Sequence, residues 1–510
     1  MSAIEPAAKW KYQMNSLGDK MSTSHTGNSK ESAAHGNPGP SRNLARFVFE
    51  RIGPVKKAEL ELGDLTIIAG RNNTGKSYIV YTLYGFLKMW NGWPGIRTFL
   101  ARKRDPQSDI PTMSEIANEL VREGEVALDS SPSSLEKQRK EVLRQMSRDF
   151  SNDAISQVFS SQSGDFDDAS IAVEAEDGGS DGAYCHPITY QLPGAGFLRL
   201  RLAGNQLRIA LAASNQHKLQ IDLEYALGSA YLELLLGDLF PEPFILSAER
   251  FGISLFYREL DFTKNQLVDL LQKVGKEKDR EKYSPFLFID RATNRYALPI
   301  KDNIDYTRSL PERRKDKSEL YSATLFNGIR DMMGGYFSSA GDEFRFISQA
   351  RGRGRSFNVP LHLASSSARG LSDLYFFLRH VAKRNHLLII DEPESHLDTA
   401  NQIKLARLLA RLVRAGLKVL LTTHSDYLIK EINNLIMLDS AFEGRQDVIK
   451  SLRYTAEDAF KRDSVRAYVA QDGGLTACEV DKFGIEMPLF DKTINDINTA
   501  ANELASRLET

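Results

Sequence analysis

Leu65-Thr66-Ile67-Ile68-Ala69-Gly70-Arg71-Asn72-Asn73-Thr74-Gly75-Lys76-Ser77 is the stretch on which the reading of this chain turns. Its first five residues carry no charge and predict a strand buried on both faces. The strand runs straight into Gly70, and the residues over 76–90 predict a helix. Between them, Gly70 to Ser77 fits G-x-x-x-x-G-K-[ST], the loop whose amide groups wrap phosphate oxygens at the positive end of a helix. Gly70, Asn72, Asn73, Thr74 and Gly75 would form the cradle. Lys76 would reach the β- and γ-phosphates and the Ser77 hydroxyl would ligate Mg²⁺. ATP and Mg²⁺ are therefore the expected ligands.

Upstream, residues 47–52 and 55–62 read as two further short strands, punctuated by Gly53-Pro54 and Gly63-Asp64. Residues 1–44 read differently. The part over 21–42 is rich in Ser, Asn, Gly and Pro with almost no apolar side chain, so a disordered leader is expected. Downstream, helices are expected over 116–126, 134–150, 231–240 and 253–274, and an acidic, glycine-containing loop over 165–182. Alternating residues over 197–202 and 207–211 flank Gly204-Asn205, a hairpin pattern. A second hairpin is expected from 344–348 and 357–363, with Arg351, Arg353 and Arg355 in its turn.

A second apolar strand, over 387–390, ends in Asp391-Glu392-Pro393-Glu394. Two adjacent carboxylates at a strand end suit a nucleotide site: Asp391 in the Mg²⁺ shell and Glu392 as the base for an attacking water. Neighbouring side chains on a strand point to opposite faces, so this pair requires a bend of the chain at the strand end. The plainer alternative is a strand capped by an acidic turn. After a helix over 401–415, a third apolar strand ends in Thr422-Thr423-His424-Ser425.

Composition bounds the rest. The chain has 510 residues, with Lys+Arg 66 against Asp+Glu 67 and a net charge of −1. That excludes a globally basic nucleic-acid coat. Hydrophobic residues at 42% and charged residues at 26% are an ordinary globular mix, enough for roughly two to four structural units. Cys185 and Cys478 stand far apart, excluding a CxxC metal site or a disulfide framework. With no apolar run of membrane-spanning length and no signal pattern, the expected location is cytoplasmic.

Spacing narrows the class. Lys76 and Asp391 stand more than three hundred residues apart, and Ser395-His396-Leu397-Asp398 follows the carboxylates. This order resembles that of ATP-binding-cassette ATPases: Walker A, Walker B, D-loop, then a switch histidine. The resemblance implies that His424 contacts the γ-phosphate; a satisfied structural histidine is the alternative. It also implies a signature segment before Walker B, delivered to the partner's nucleotide in a head-to-tail dimer. Ser365-Ser366-Ser367-Ala368-Arg369-Gly370 occupies that place, with Ser366 and Ser367 as the candidate phosphate contacts or simply as a helix N-cap. Serines in place of glycines argue against a transporter subunit and are similar to the soluble SMC- and OLD-like branch. Ser247-Ala248-Glu249-Arg250 resembles the segment these ATPases carry where transporters have a Q-loop; Arg250 would face the phosphates, the dimer partner, or a structural ion pair.

The expected fold is thus α/β: an ABC-type, SMC-like ATPase head with a mixed β-subdomain and a compact helical and β insertion between Walker A and signature. The expected domains are an N-lobe over 45–100, the insertion over 101–343, a C-lobe over 344–440 and a tail over 441–510 that is a candidate docking part. The short stretch after His424 leaves no room for a TOPRIM nuclease, so any nuclease would be a separate chain. Asn72-Asn73-Thr74-Gly75-Lys76-Ser77-Tyr78 leading to Tyr84-Gly85-Phe86-Leu87 resembles the PtuA-type ATPases of Septu and retron-associated anti-phage systems. That resemblance implies an HNH nuclease as partner and, in the retron form, a reverse transcriptase with its RNA–DNA hybrid. The alternative is a RecF-like ATPase that acts on DNA itself, for which the Arg351, Arg353 and Arg355 turn is the supporting feature.

Overall fold

The computed structural model describes residues 45–90, 110–161, 164–175, 188–192, 196–213, 220–236, 239–256, 296–340, 343–349 and 356–508. The leader over 1–44, Cys185, most of the helix expected over 253–274, and the turn with Arg351, Arg353 and Arg355 lie outside these residues. The chain divides into two compact units, one built from 44–89, 146–176 and 240–510, the other from 1–43, 90–145 and 177–239.

The larger unit is organised on a six-stranded sheet. Its order is Gly474–Ala477, Val465–Gln471, Leu65–Gly70, Lys418–Thr423, Leu387–Asp391 and Pro243–Leu246. The last five strands run parallel, and only the Gly474–Ala477 edge is antiparallel. Every residue of Leu65–Gly70 and of Leu387–Asp391 is buried, as in strands with both faces covered. Register does the positioning: Ile68 pairs with Thr422, and Thr422 with Asp391. The phosphate loop, the paired carboxylates and the strand leading to His424 therefore leave the sheet at the same carboxyl edge, where open α/β sheets place their ligands.

Two smaller sheets complete this unit. Val55–Glu61, Arg46–Ile52 and Ser170–Glu174 form an antiparallel trio. Its third strand falls inside the stretch expected to be an acidic loop, and the difference has a clear cause. Ile171 and Val173 alternate with more exposed neighbours and bury against the first strand, while the acidic residues lie on either side. Gly335–Ala340, Glu343–Ser348 and Asn358–Pro360 form the other trio, which includes the expected second hairpin. Phe337 and Phe344 stack from it onto Phe376 of the helix Ser372–His380.

The smaller unit carries a four-stranded antiparallel sheet, in the order Glu125–Asp129, Gln206–Ala213, Gly196–Ala203 and Ile188–Leu192. The expected hairpin at Gly204-Asn205 is its centre, with Leu198, Leu200, Leu207 and Ile209 buried at alternate positions. The helix expected over 116–126 spans Met113–Glu123 instead. Gly124, at φ 79°, closes it through an amide bond to the Leu120 carbonyl and starts a strand. The helix expected over 231–240 begins earlier, at Gln220–Leu236.

The architecture is thus α/β, as expected, with a mixed sheet and, in chain order after the phosphate loop and before the serine segment, most of a compact helical and β unit. Among the described residues no helix is long and apolar enough to cross a membrane.

Candidate active site at the carboxyl edge of the parallel sheet

Glycines shape the phosphate loop by what surrounds them. A Cβ on Gly70 would meet the Ala470 carbonyl oxygen at 2.7 Å, and one on Gly75, at φ 93°, would meet Val55 Cγ2 at 2.5 Å. Asn73 also takes a positive φ, of 63°. The Lys76 ammonium is 6% exposed and donates to the carbonyls of Gly70 at 2.9 Å and Arg71 at 2.8 Å. Burial lowers its pKa, opposed by the carboxylates of Glu392, Asp391 and Glu394. Those three carboxylates are the countercharges of Lys76.

The bend that two working carboxylates require is present: Glu392 stands at φ 50°. Its amide donates to Thr422 Oγ1 at 3.0 Å, and the Thr422 hydroxyl donates in turn to Asp391 Oδ1. Asp391 is buried, and burial raises its pKa while the Thr422 and Ser77 hydroxyls stabilise its charged form. Its second oxygen, Oδ2, is buried without a hydrogen-bond partner. A carboxylate oxygen left over beside a serine hydroxyl suits a hard divalent cation that draws its remaining ligands from phosphate and water. Mg²⁺ fits the residues present.

Glu394 is the residue sequence reasoning passed over. It is buried, and its Oε1 accepts from Thr423 Oγ1 at 2.7 Å and from the His424 amide at 2.8 Å. His424 Nδ1 lies 3.4 Å from Glu394 Oε1 and 3.8 Å from Glu392 Oε1, while the imidazole is 49% exposed. Glu394 thus fixes the backbone that carries His424, and the ring borders the more exposed Glu392. Two glutamates at spacing i, i+2 across Pro393 were the available signal.

Arg250 is turned into the fold. It is 4% exposed, and its guanidinium donates to four main-chain carbonyls: Ser247 at 3.0 Å, Gly370 at 3.3 Å, Asp391 at 2.8 Å and Glu392 at 2.9 Å. It clamps the carboxylate turn to the end of the serine helix. Arg250→Met would take the charged donor from all four carbonyls, leaving those of Ser247 and Glu392 with main-chain bonds from the amides of residue 250 and Ser395. Breaking a buried charge network of this kind costs about 3–5 kcal/mol. For a chain of this size that lowers the melting temperature by about 3–5 °C. Calorimetry checks this, and an unchanged melting temperature would show that the clamp is dispensable.

Asp373 sits within electrostatic reach of Arg250 and is 3% exposed. Burial pushes its carboxyl up to about 7, with Arg250 and the Ser372 hydroxyl opposing. The folded state therefore keeps a proton that the unfolded chain releases near pH 4, so stability falls as pH rises from about 4 to about 7. Asp373→Asn should flatten that fall. Melting curves at pH 5 and pH 8 check it, and equal slopes for both proteins would refute it.

The serine segment forms a five-residue helix, Ser366–Gly370, with Ser365 as its N-cap accepting from the Ala368 amide. Ser366 is exposed and Ser367 half-buried, with Ser367 Oγ 3.3 Å from Ser365 Oγ. The capping role and an outward face thus coexist, on different serines. Phe251 stacks on His396 at 4.2 Å and lies under the Arg369 guanidinium at 4.6 Å, tying the serine helix to the turn after Glu394.

A buried strand leading into a glycine-framed lysine loop is joined by a bent carboxylate pair and a histidine, all at one sheet edge. Such an arrangement suits a nucleoside triphosphate. Residues 259–429 match the AAA ATPase domain family, a span holding the serine segment, both carboxylates and His424. No match was found among curated proteins. Among solved structures the chain is similar to an Smc head domain with an extended coiled coil, bound to the C-terminal domain of ScpA, from Pyrococcus furiosus. Identity is 13%, with 90% of this chain and 100% of that one covered at a TM-score of 0.33. It is also similar to the SMC head domain from Thermotoga maritima, at 11% identity, 86% and 100% coverage and a TM-score of 0.27.

Proposed function

We propose that this chain binds and hydrolyses ATP as a head-to-tail dimer and thereby gates a separate HNH nuclease in anti-phage defence. In the retron form the complex would add a reverse transcriptase and its RNA–DNA hybrid. The observation that carries the ATPase reading is the bent Asp391-Glu392 pair beside the Lys76 loop. Lys76 and the loop amides hold the phosphates. Ser77 and Asp391 would hold Mg²⁺, which supplies charge neutralisation at the β- and γ-phosphates. Glu392 accepts the proton of the attacking water, and His424, anchored by Glu394, stands beside it to sense the γ-phosphate. Ser366 and Ser367, at the mouth of a short helix, suit a phosphate brought by the second copy.

The nuclease reading rests on the sequence resemblance around Asn72–Tyr78 and on the exposed apolar residues Ile497, Leu504 and Leu508 along the terminal helix Pro488–Leu508, which suit a docking partner. Affinity purification of the tagged Glu392→Gln chain from its native gene neighbourhood tests it. A stoichiometric HNH nuclease in the eluate is expected. A clean homodimer with no companion would overturn the defence reading and favour direct action on DNA.

A further inference from the structure

The helix Lys76–Met89, which opens on the phosphate loop, presents two different faces in its first turns. Ser77 and Tyr81 stand one turn apart on the face toward the carboxylates. The Ser77 hydroxyl stabilises Asp391, and the Tyr81 hydroxyl donates to Glu249 Oε2 at 3.1 Å. Tyr78 follows Ser77 directly and stands about 100° further round the helix. Its ring meets the turn between the strands Arg46–Ile52 and Val55–Glu61 instead. A Cβ on Gly53 in that turn would come within 2.6 Å of the Tyr78 ring, and Gly53 also takes φ 57°. Glycine at this position is what lets the ring lie against the turn.

Other aromatic rings hold Tyr78 from behind. Its centroid is 5.1 Å from that of Phe159, which stacks in turn on Phe166 at 4.9 Å and on Tyr81 at 6.5 Å. Phe159 and Phe166 are half-buried. Arg51 Nε donates to the Asp168 carbonyl at 2.8 Å, which ties the segment carrying Phe166 to the end of the first strand. Tyr78 itself is 37% exposed. A ring whose plane is set by its neighbours, and which still meets water, loses little freedom when a second flat group covers it.

Position selects that group. Loops of the G-x-x-x-x-G-K-[ST] type cradle the α- and β-phosphates, and the lysine reaches the β- and γ-phosphates. Glu392 and His424 mark the γ end in this chain, and Tyr78 leaves the loop helix on a different face from the one that meets them. We propose that Tyr78 is the base platform of the nucleotide site: its ring stacks the flat base of the nucleotide whose phosphates the loop holds, and it favours a purine over a pyrimidine. The proposal rests on the nucleotide reading of the loop. Stacking accepts the π-face of any base, and the fused rings of a purine cover more of the tyrosine than a single ring does.

The test titrates the full chain calorimetrically, in Mg²⁺, with adenosine diphosphate, cytidine diphosphate and inorganic pyrophosphate. Adenosine diphosphate is expected to bind more tightly than cytidine diphosphate, with pyrophosphate held by the loop alone. Tyr78→Ala should weaken adenosine diphosphate about 10-fold or more and leave pyrophosphate unchanged, because base stacking is the interaction removed. Tyr78→Leu keeps an apolar contact for Phe159 without a π-face and should behave like Ala, whereas Tyr78→Phe should bind as the unaltered chain does. Unchanged adenosine diphosphate affinity in both the Ala and Leu variants, with pyrophosphate still bound, would overturn the platform and leave the loop standing. Equal losses for adenosine diphosphate and pyrophosphate would also overturn it, by making Tyr78 a support of the loop. Failure of the unaltered chain to bind any of the three probes at millimolar concentration would overturn the loop reading and the platform with it.

Discussion

Glu392→Gln is expected to slow ATP turnover by about 10²–10⁴-fold, the usual contribution of a general base, while leaving nucleotide affinity nearly intact. The geometry explains the separation. Glu392 is the partly exposed member of the carboxylate pair, carried outward by its left-handed backbone, with Ser395 Oγ at 3.4 Å and His424 Nδ1 at 3.8 Å as side-chain neighbours. Gln keeps the volume and the backbone bonds to Thr422 and Arg250, so the turn should survive. The bound nucleotide should then persist, and size exclusion should show an ATP-dependent dimer longer-lived than that of the unaltered chain. Glu394→Gln is the control. Its amide oxygen can still accept from Thr423 Oγ1 and the His424 amide, so a loss below about 10-fold is expected there. Steady-state phosphate release decides between the two. Full activity in the Glu392 variant with loss in the Glu394 variant would move the base by two residues.

What the sequence made legible is local. Gly70 to Ser77 carries its loop geometry in its own residues, because positive φ and close approach demand glycine wherever the neighbours come from. The bend at Glu392 follows just as directly, from two adjacent carboxylates needing one face. Other features depend on partners remote in the chain. Val465–Gln471 sits in the expected tail, yet it pairs with the phosphate-loop strand, and its Ala470 is what forbids a side chain on Gly70. Nothing in seven mostly apolar residues says which strand they will join. Ser170–Glu174 was hidden because its flanks are acidic and its own apolar content is one short run, Ile171 to Val173. Arg250 was legible as a cation for phosphates, a partner or an ion pair but not as a clamp, since its acceptors are carbonyls, which every residue has. Those three placements come from tertiary pairing, which overrides local composition.

Lys76→Ala is expected to remove ATP binding at the phosphate loop while sparing the fold. The ammonium holds two loop carbonyls and balances Glu392, Asp391 and Glu394, so its loss leaves them to Arg250, which reaches the same three carboxylates but turns its donors to main-chain carbonyls. A triphosphate brought beside three carboxylates without that cation meets net repulsion. The measurement is the melting temperature with and without ATP and Mg²⁺. Ligand at a hundred times its dissociation constant stabilises by about 2.7 kcal/mol, which for a chain of this length raises the midpoint by about 2–3 °C. The unaltered chain should show that rise and the Ala variant none, with midpoints without ligand differing by less than the shift itself. Lys76→Arg sharpens the argument. It keeps the charge but replaces a compact ammonium, 6% exposed between two carbonyls, by a wider planar fork. If charge alone mattered, Arg would restore the shift. Because the loop also fixes the shape of the cation it encloses, Arg should fail as well, and an ATP-induced rise that survives in the Ala variant would place the nucleotide somewhere other than this loop.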